Sequence, residues 1–219
     1  QLYNPRTESW EDEIFAQLGI SPDIMQEIVQ PGTIIGEITN NVRVQTGLKG
    51  IPMVAVASHD TGSAVAAVPA SGKKFAYISC GTWSLMGIES PAPIINEKTL
   101  KYNFTNEGGV CRTFRILKNI AGLWVLQQCR KEWSKTRVYS YSELTEMAQN
   151  TVPCDSLIDQ DRPEFFNPSN MPLTIENFCR KTGQKVPRDI AQCVHVVLQS
   201  LALAYRYTLE QIEEISAIS

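Results

Sequence analysis

Val54-Ala-Val-Ala-Ser-His-Asp-Thr-Gly-Ser63 is the stretch on which the reading of this chain turns. A small apolar run, Met53–Ala57, has the length and residue types of a buried strand. It ends abruptly in Ser58-His59-Asp60-Thr61, and small residues from Gly62 to Ala67 follow. In α/β proteins, polar side chains just beyond the carboxyl end of a buried strand are where ligands sit. Asp60 is therefore the first candidate for chemistry. A second strand and turn, Phe75-Ala-Tyr-Ile-Ser-Cys-Gly-Thr-Trp-Ser84, again places a glycine and hydroxyls at a strand end.

Working outward, 219 residues suffice for one large domain or two small ones. The net charge of −3 comes with no basic cluster, which argues against nucleic-acid binding. No apolar run approaches membrane-spanning length, and the opening residues do not read as a signal peptide. The six cysteines (80, 111, 129, 154, 179 and 193) form no C-x-x-C pair, and His59 and His195 lie far apart, so structural zinc is not expected. The thiols read as buried or incidental groups of a cytoplasmic protein. Cys179 and Cys193 flank a turn between two predicted helices and could meet.

Residues 1–50 read as a small lobe. Ser9 is placed to cap a helix through Ile14, Phe15 and Leu18, stopped by Gly19. Ser21-Pro22 starts a short helix carrying Ile24 and Ile28. Thr33–Ile38 reads as a strand, and Asn40-Asn41 as a turn. Thr61–Val68 reads as a tightly packed helix, and Ser71-Gly72-Lys73-Lys74 as a turn and domain hinge. Two hairpins follow: Phe75–Cys80 with Leu85–Glu89, and Asn103–Glu107 with Arg112–Leu117 across Gly108-Gly109. Asn119 is placed to cap a helix from Ile120 to Trp133. Ser140-Tyr-Ser-Glu143 fits a capping box for Leu144–Ala148. Ile175–Lys181 reads as a short helix. Pro187 opens the longest one, Arg188 to about Ile215.

Each candidate residue has a functional and a structural reading. Asp60 can cap the helix starting at Thr61, or can act as a general base on a sugar hydroxyl that attacks phosphorus. His59 can be a second base or an orienting side chain. Gly81-Thr82-Trp83-Ser84 can be an ordinary hairpin turn, or a turn whose amides and hydroxyl meet a phosphate, with Trp83 packing. Asn119 and Gln127 fall two turns apart on one predicted helix, so one face can present both to a ligand; alternatively they are a cap and a surface amide. Asp155, Asp159 and Asp161 can hold a cation or be simply solvated. Walker A, G-x-G-x-x-G and G-x-S-x-G sequences are absent.

Taken together, Ala57–Ser63 and Tyr77-Ile-Ser-Cys-Gly-Thr-Trp-Ser-Leu-Met-Gly87 resemble the middle of the FGGY carbohydrate kinases. Gln1-Leu-Tyr-Asn-Pro5, Thr105-Asn-Glu-Gly-Gly109, Leu117-Lys-Asn-Ile-Ala-Gly-Leu-Trp124 and Asp161–Pro168 extend the resemblance nearly end to end. It implies an α/β protein of the actin-like, ribonuclease-H-like ATPase fold, a two-domain sugar kinase. Residues 1–72 would end the sugar-binding domain, and residues 73–219 would begin the nucleotide-side domain. His59, Asp60 and Thr61 match the sugar-contacting segment, with Asp60 as base, and Asn119 matches a position assigned to substrate. Gly81, Thr82 and Gln127 match positions assigned to ATP, which would arrive with Mg2+. No metal ligand is assigned. The substrate would be a small ketose phosphorylated on its 1-hydroxyl. The wording of Ser58–Thr61 and Gly81–Gly87 favours L-rhamnulose over L-fuculose or xylulose.

The family's Asp-x-Gly-Thr-type phosphate turn and its Gly-Gly-rich adenosine segment do not occur in this sequence. The resemblance therefore implies a stretch incomplete at both ends and not competent as a kinase by itself. A non-catalytic sugar- or nucleotide-sensing module on the same fold is the rival reading, and a base at Asp60 argues against it.

Overall fold

Local sequence signals account for most of the element boundaries in the computed structural model, which describes residues 2–72 and 75–216. Strands β1 (Tyr3–Asn4) and β2 (Ser9–Trp10) pair antiparallel. Ser9 is thus a strand residue, and helix α1 (Asp12–Leu18) starts from Glu11 without a side-chain cap. Asp12 and Glu13 place negative charge at its positive end. Gly19 ends it with φ +65°, as expected, and Phe15 is its buried residue. Pro22–Ile24 is a single 3-10 turn capped by Ser21, so Ile28 falls outside it.

β3 (Ile34–Glu37) is followed by α2 (Asn40–Thr46), where a turn was expected. The Thr39 hydroxyl accepts from the Val42 amide, which makes Thr39 an N-cap and turns Asn40-Asn41 into the first residues of a helix. β4 (Pro52–Val54) pairs antiparallel with β3, with a register shift between Ile34 and Gly36. The strand expected to be buried over Met53–Ala57 is therefore shorter and exposed, Met53 by 43% and Val54 by 49%. The ribbon's faces are exposed among the described residues, so an apolar run here reports strand propensity without burial. Helix α3 runs Asp60–Ala66.

β5 (Ala76–Cys80) and β6 (Ser84–Ser90) form the first expected hairpin. After α4 (Glu97–Lys101), β7 (Thr105–Gly108) and β8 (Phe114–Ile120) form the second, in register Thr105↔Leu117 to Gly108↔Phe114. The sheet order is β5-β6-β8-β7. Four helices complete the chain: α5 (Trp124–Trp133), α6 (Tyr141–Asn150), α7 (Met171–Lys181) and α8 (Ile190–Ser216). Ser140 caps α6 by accepting from the Glu143 amide, which is one half of the capping box expected there.

Asn119 does not cap α5. It is an exposed residue of β8, and α5 begins only at Trp124. Gly122, at φ +54°, separates the two, because a left-handed residue cannot continue a right-handed helix. The apolar residues before it belong to a strand.

The chain divides into two compact units: Gln1–Tyr77 with Gly87–Leu117, and Ile78–Met86 with Lys118–Ser219. In the first, Phe15, Val65, Tyr77, Ile88, Phe114 and Ile116 are buried. In the second, Val125, Leu126, Leu144, Phe165, Ile175 and Val194 form the centre of one cluster. Cys129, Cys154, Cys179 and Cys193 belong to that cluster, and all six cysteines are free. Cys179 and Cys193 are not bridged. Burial pushes the Cys129 thiol up, and a hydrogen bond with Cys193 adds to this. Lys73 and Lys74 of the expected hinge lie outside the described residues.

Candidate functional site

In the first unit, Ser58 takes a left-handed conformation, φ +59°, which bends the chain out of its extended run. His59 is extended and serves as the N-cap of α3 without a side-chain cap bond. Asp60 is the first helical residue. Its Oδ1 accepts from the Thr61 amide at 2.7 Å, and His59 Nδ1 lies 3.3 Å from the same oxygen. The structural role foreseen for Asp60 is thus partly present, since a carboxylate sits at a helix start and takes one orphan amide. The side chain is nevertheless 96% exposed, with oxygen capacity to spare. Thr61, Gly62 and Val65 face inward and are buried.

A cavity of about 390 Å³ in the same unit is lined by Trp10, Ser58, His59, Glu107, Arg112 and Arg115, among others. Arg115 is 2% exposed in side chain and donates from Nη2 to Glu107 Oε2 at 2.9 Å. Tyr77 is buried close by, and burial pushes its hydroxyl up to about 12, against the pull of the Arg115 charge. Sequence reasoning missed Arg115 and Glu107. The available signal was a cation, Arg115, flanked by Phe114 and Ile116 in a strand, where a burial cost must be met by a partner.

In the second unit, the turn Gly81–Trp83 is held by backbone contacts. Gly81 N–H donates to Trp83 O at 2.9 Å, Leu123 N–H to Gly81 O at 3.0 Å, and Trp124 N–H to Thr82 O at 3.1 Å. Peptides here are trans, so the N–H of each peptide points opposite to its carbonyl. With the Gly81 and Thr82 carbonyls aimed at residues 123 and 124, the Thr82 and Trp83 amides point away from that segment. Two neighbouring amides so directed suit an anion such as a phosphate. The Thr82 hydroxyl donates to Gln127 Oε1 at 3.1 Å, which brings together two residues that the family resemblance implied for one nucleotide. Trp83, read from sequence as packing, is 52% exposed. The Asn119 and Gln127 pairing on one helix is not found, since one is in β8 and the other in α5.

Two supports were not foreseen. Tyr205 of α8 places its hydroxyl 2.6 Å from Ser84 Oγ and 3.3 Å from Cys80 Sγ, tying the two strand ends on either side of the turn. Burial raises that phenol to about 12, so it acts as a neutral bonding group. Asp161 Oδ1 accepts from the Ala121 amide at 2.8 Å, just before Gly122. That bond gives Asp161 a structural use. Among the described residues no group of three or more His, Cys, Asp or Glu could hold a metal. Nor is any described helix long and apolar enough to cross a membrane.

The relatives of this α/β chain are carbohydrate kinases. The profile of the FGGY family of carbohydrate kinases, N-terminal domain, matches residues 1–68, and that of the C-terminal domain matches residues 76–219. The chain belongs to this family. It is 48% identical to a rhamnulokinase of Bacteroides thetaiotaomicron over 99% of its own length and 44% of that protein's. A rhamnulokinase of Enterococcus faecalis is 37% identical over 100% of this chain and 44% of its own, and one of Halalkalibacterium halodurans is 39% identical over 98% and 45%. The chain thus spans less than half the length of these relatives. Among solved structures it resembles a xylulose kinase from Rhodospirillum rubrum, with a TM-score of 0.65, 15% identity, and coverage of 96% of this chain and 42% of that one. A gluconate kinase from Lactobacillus acidophilus gives 0.63, 13%, 93% and 41%. These likenesses support the actin-like, ribonuclease-H-like α/β fold that the sequence resemblance implied.

Proposed function

We propose that this chain is part of an ATP-dependent ketose kinase that phosphorylates the 1-hydroxyl of L-rhamnulose. The observation that carries this reading is its identity of 48% with a rhamnulokinase across 99% of its residues, which include His59-Asp60-Thr61 and Gly81-Thr82. Residues 1–72 belong to the sugar-binding domain and residues 73–219 to the nucleotide-side domain. Free thiols throughout fit a cytoplasmic protein.

In this mechanism Asp60 accepts the proton of the sugar's 1-hydroxyl as that oxygen bonds to the γ-phosphorus of ATP. The bond from that phosphorus to the bridging oxygen breaks, and ADP and the sugar 1-phosphate leave. His59 orients the Asp60 carboxylate from 3.3 Å, and Thr61 and Asn119 are assigned to the sugar side. The Thr82 and Trp83 amides, with Gly81 giving close backbone approach, receive phosphate oxygens. Gln127 fixes the Thr82 hydroxyl. Mg2+ bound to ATP supplies charge neutralisation, and no residue of this chain is assigned to it.

The test is ADP release by the complete polypeptide with Mg-ATP and, in turn, L-rhamnulose, L-fuculose and xylulose, beside Asp60→Asn. L-rhamnulose is expected to give the highest kcat/KM, and the variant to lose about 10²- to 10⁴-fold in kcat. A higher kcat/KM for another ketose would reassign the substrate. An active Asp60→Asn would remove the base, and sugar binding without ADP release would make the protein a sensor. The 219-residue stretch alone, at 44% of the relative's length, is expected to give no sugar-dependent turnover in the same assay.

A further inference from the structure

We propose that Arg115 is a positioning residue for the helix turn that carries Asp60; the inference rests on Asp60 being the base. A buried guanidinium is expensive unless every donor is met. Here Nη2 has Glu107, but Nε and Nη1 are buried with no hydrogen-bond partner. An apolar side chain would fill the same space at lower cost, so filling space is not what this residue is for.

What the guanidinium touches is the start of α3. A Cβ placed on Gly62 would lie 3.2 Å from Arg115 Cζ, 3.2 Å from its Nη2 and 2.9 Å from Ala57 Cβ. Gly62 is therefore wedged between a flat, rigid cation and the end of the preceding extended segment. At about 100° per residue, Asp60 stands about 200° around the helix from Gly62, on the opposite side. The clamp on the buried side thus holds the carboxylate outward, where its side chain is 96% exposed. Any retreat of the guanidinium lets the first turn of α3 sink or rotate, and that movement passes directly to Asp60. Glu107 fixes the guanidinium in turn through the 2.9 Å bond.

The experiment compares Arg115→Met, Arg115→Lys and Gly62→Ala in the complete polypeptide. The readouts are kcat, KM for sugar and ATP, melting temperature, and amide hydrogen exchange at residues 61–66. Arg115→Met is expected to lower kcat by about 10- to 100-fold, as misplacement of a reacting group does, with both KM values little changed. Exchange at residues 61–66 is expected to rise more than exchange in β8. Arg115→Lys keeps the charge but loses the planar face, and is expected to recover only part of kcat. Should Arg115→Met not fold, Gly62→Ala keeps both Arg115 and Glu107 in the chain and is expected to lower kcat by pressing the first turn of α3 off the guanidinium. A lowered melting temperature with wild-type kcat per folded molecule would overturn the proposal. So would a rise in sugar KM at constant kcat, which would mean that Arg115 binds substrate, or a Gly62→Ala variant with wild-type kcat. If Asp60→Asn stays active, the base assignment fails, and the exchange measurement still decides whether Arg115 holds α3.

Discussion

Replacing Gly122 by alanine tests whether the Gly81–Trp83 turn is held by backbone alone. Gly122 sits at φ +54°, and a Cβ there would come within 2.7 Å of Thr82 O, 2.7 Å of Trp83 C and 2.8 Å of Gly81 O. None of these atoms is the movable end of a side chain. The left-handed conformation costs an L-residue about 1–2 kcal/mol, and overpacking adds about 1–3 kcal/mol. Two of the three atoms are also the carbonyls that accept from Leu123 and Trp124, so relief of the clash must lengthen those bonds. The expected loss of stability is about 2–5 kcal/mol, read from urea unfolding of the complete polypeptide. The amides of Thr82 and Trp83 move with their carbonyls. Losing one bond to a charged phosphate at about 1.5–3 kcal/mol weakens nucleotide binding about 10- to 100-fold, measurable by calorimetry without sugar. Gly183→Ala is the control, because Gly183 has φ +70° with nothing within 4 Å of the added carbon. It carries the conformational cost alone. Equal urea midpoints and equal nucleotide affinities for the two variants would refute the packing argument.

Three further outcomes follow from the same unit. Thr82→Val removes the donor to Gln127 and is expected to raise the KM for ATP by the worth of one hydrogen bond, about 1 kcal/mol, with Thr82→Ser restoring it; unchanged KM in Thr82→Val would refute the assignment. Tyr205→Phe strands Ser84 Oγ, whose residue is 0% exposed, and is expected to lower stability by about 1–3 kcal/mol in urea unfolding. Asp161 has its carboxyl raised above 3.8, chiefly by burial, with the Ala121 amide pulling the other way and Asp159 adding to the rise. The folded state therefore binds the proton more tightly than the unfolded state. Its favourable contribution is full below about 3.8 and is lost as pH rises through the folded value. Relative to Asp161→Asn, the native protein is thus expected to gain stability as pH falls through that window, followed by thermal melts across acid pH. A constant difference across the window would contradict this.

The helices of the second unit were legible because their boundaries are written locally. Ser140 accepts from the Glu143 amide, and Gly19 in the first unit ends a helix at positive φ. Both hairpins were legible through the glycines between apolar runs. Two errors share one cause. The run Ile116 to Leu126 is apolar apart from Lys118 and Asn119, so period alone does not divide it between strand and helix. Only the conformation of Gly122 makes the division, and with it moves Asn119 from a helix cap into β8. Asn40-Asn41 misled for a different reason, since asparagine serves turns and helix starts equally well. Of the candidate site, Asp60 and Thr82 were visible because polar residues after a strand are few. Arg115 and Tyr205 were not, because their significance lies in what they touch far away in sequence, Gly62 for Arg115 and, 121 residues distant, Ser84 for Tyr205; Glu107 matters only through Arg115.

The two candidate turns are held by different devices, and the difference has a consequence. At Gly62 the opposing atoms belong to side chains, Ala57 Cβ at 2.9 Å and the Arg115 guanidinium at 3.2 Å. At Gly122 all three opposing atoms are backbone, which cannot move without breaking turn bonds. Because the Arg115 clamp sets where Asp60 stands, a side chain added at Gly62 displaces the first turn of α3 in proportion to its size. Amides that bind phosphate must already be in place before reaction, since the stabilisation they offer depends on needing no rearrangement. Substitutions of increasing size at Gly62 are therefore expected to lower kcat in graded steps. At Gly122, alanine and serine should already give the full loss of nucleotide affinity. Measuring both series in the complete polypeptide separates the two devices: a graded loss at Gly122, or an abrupt one at Gly62, would show that the supports do not differ in the way their atoms imply.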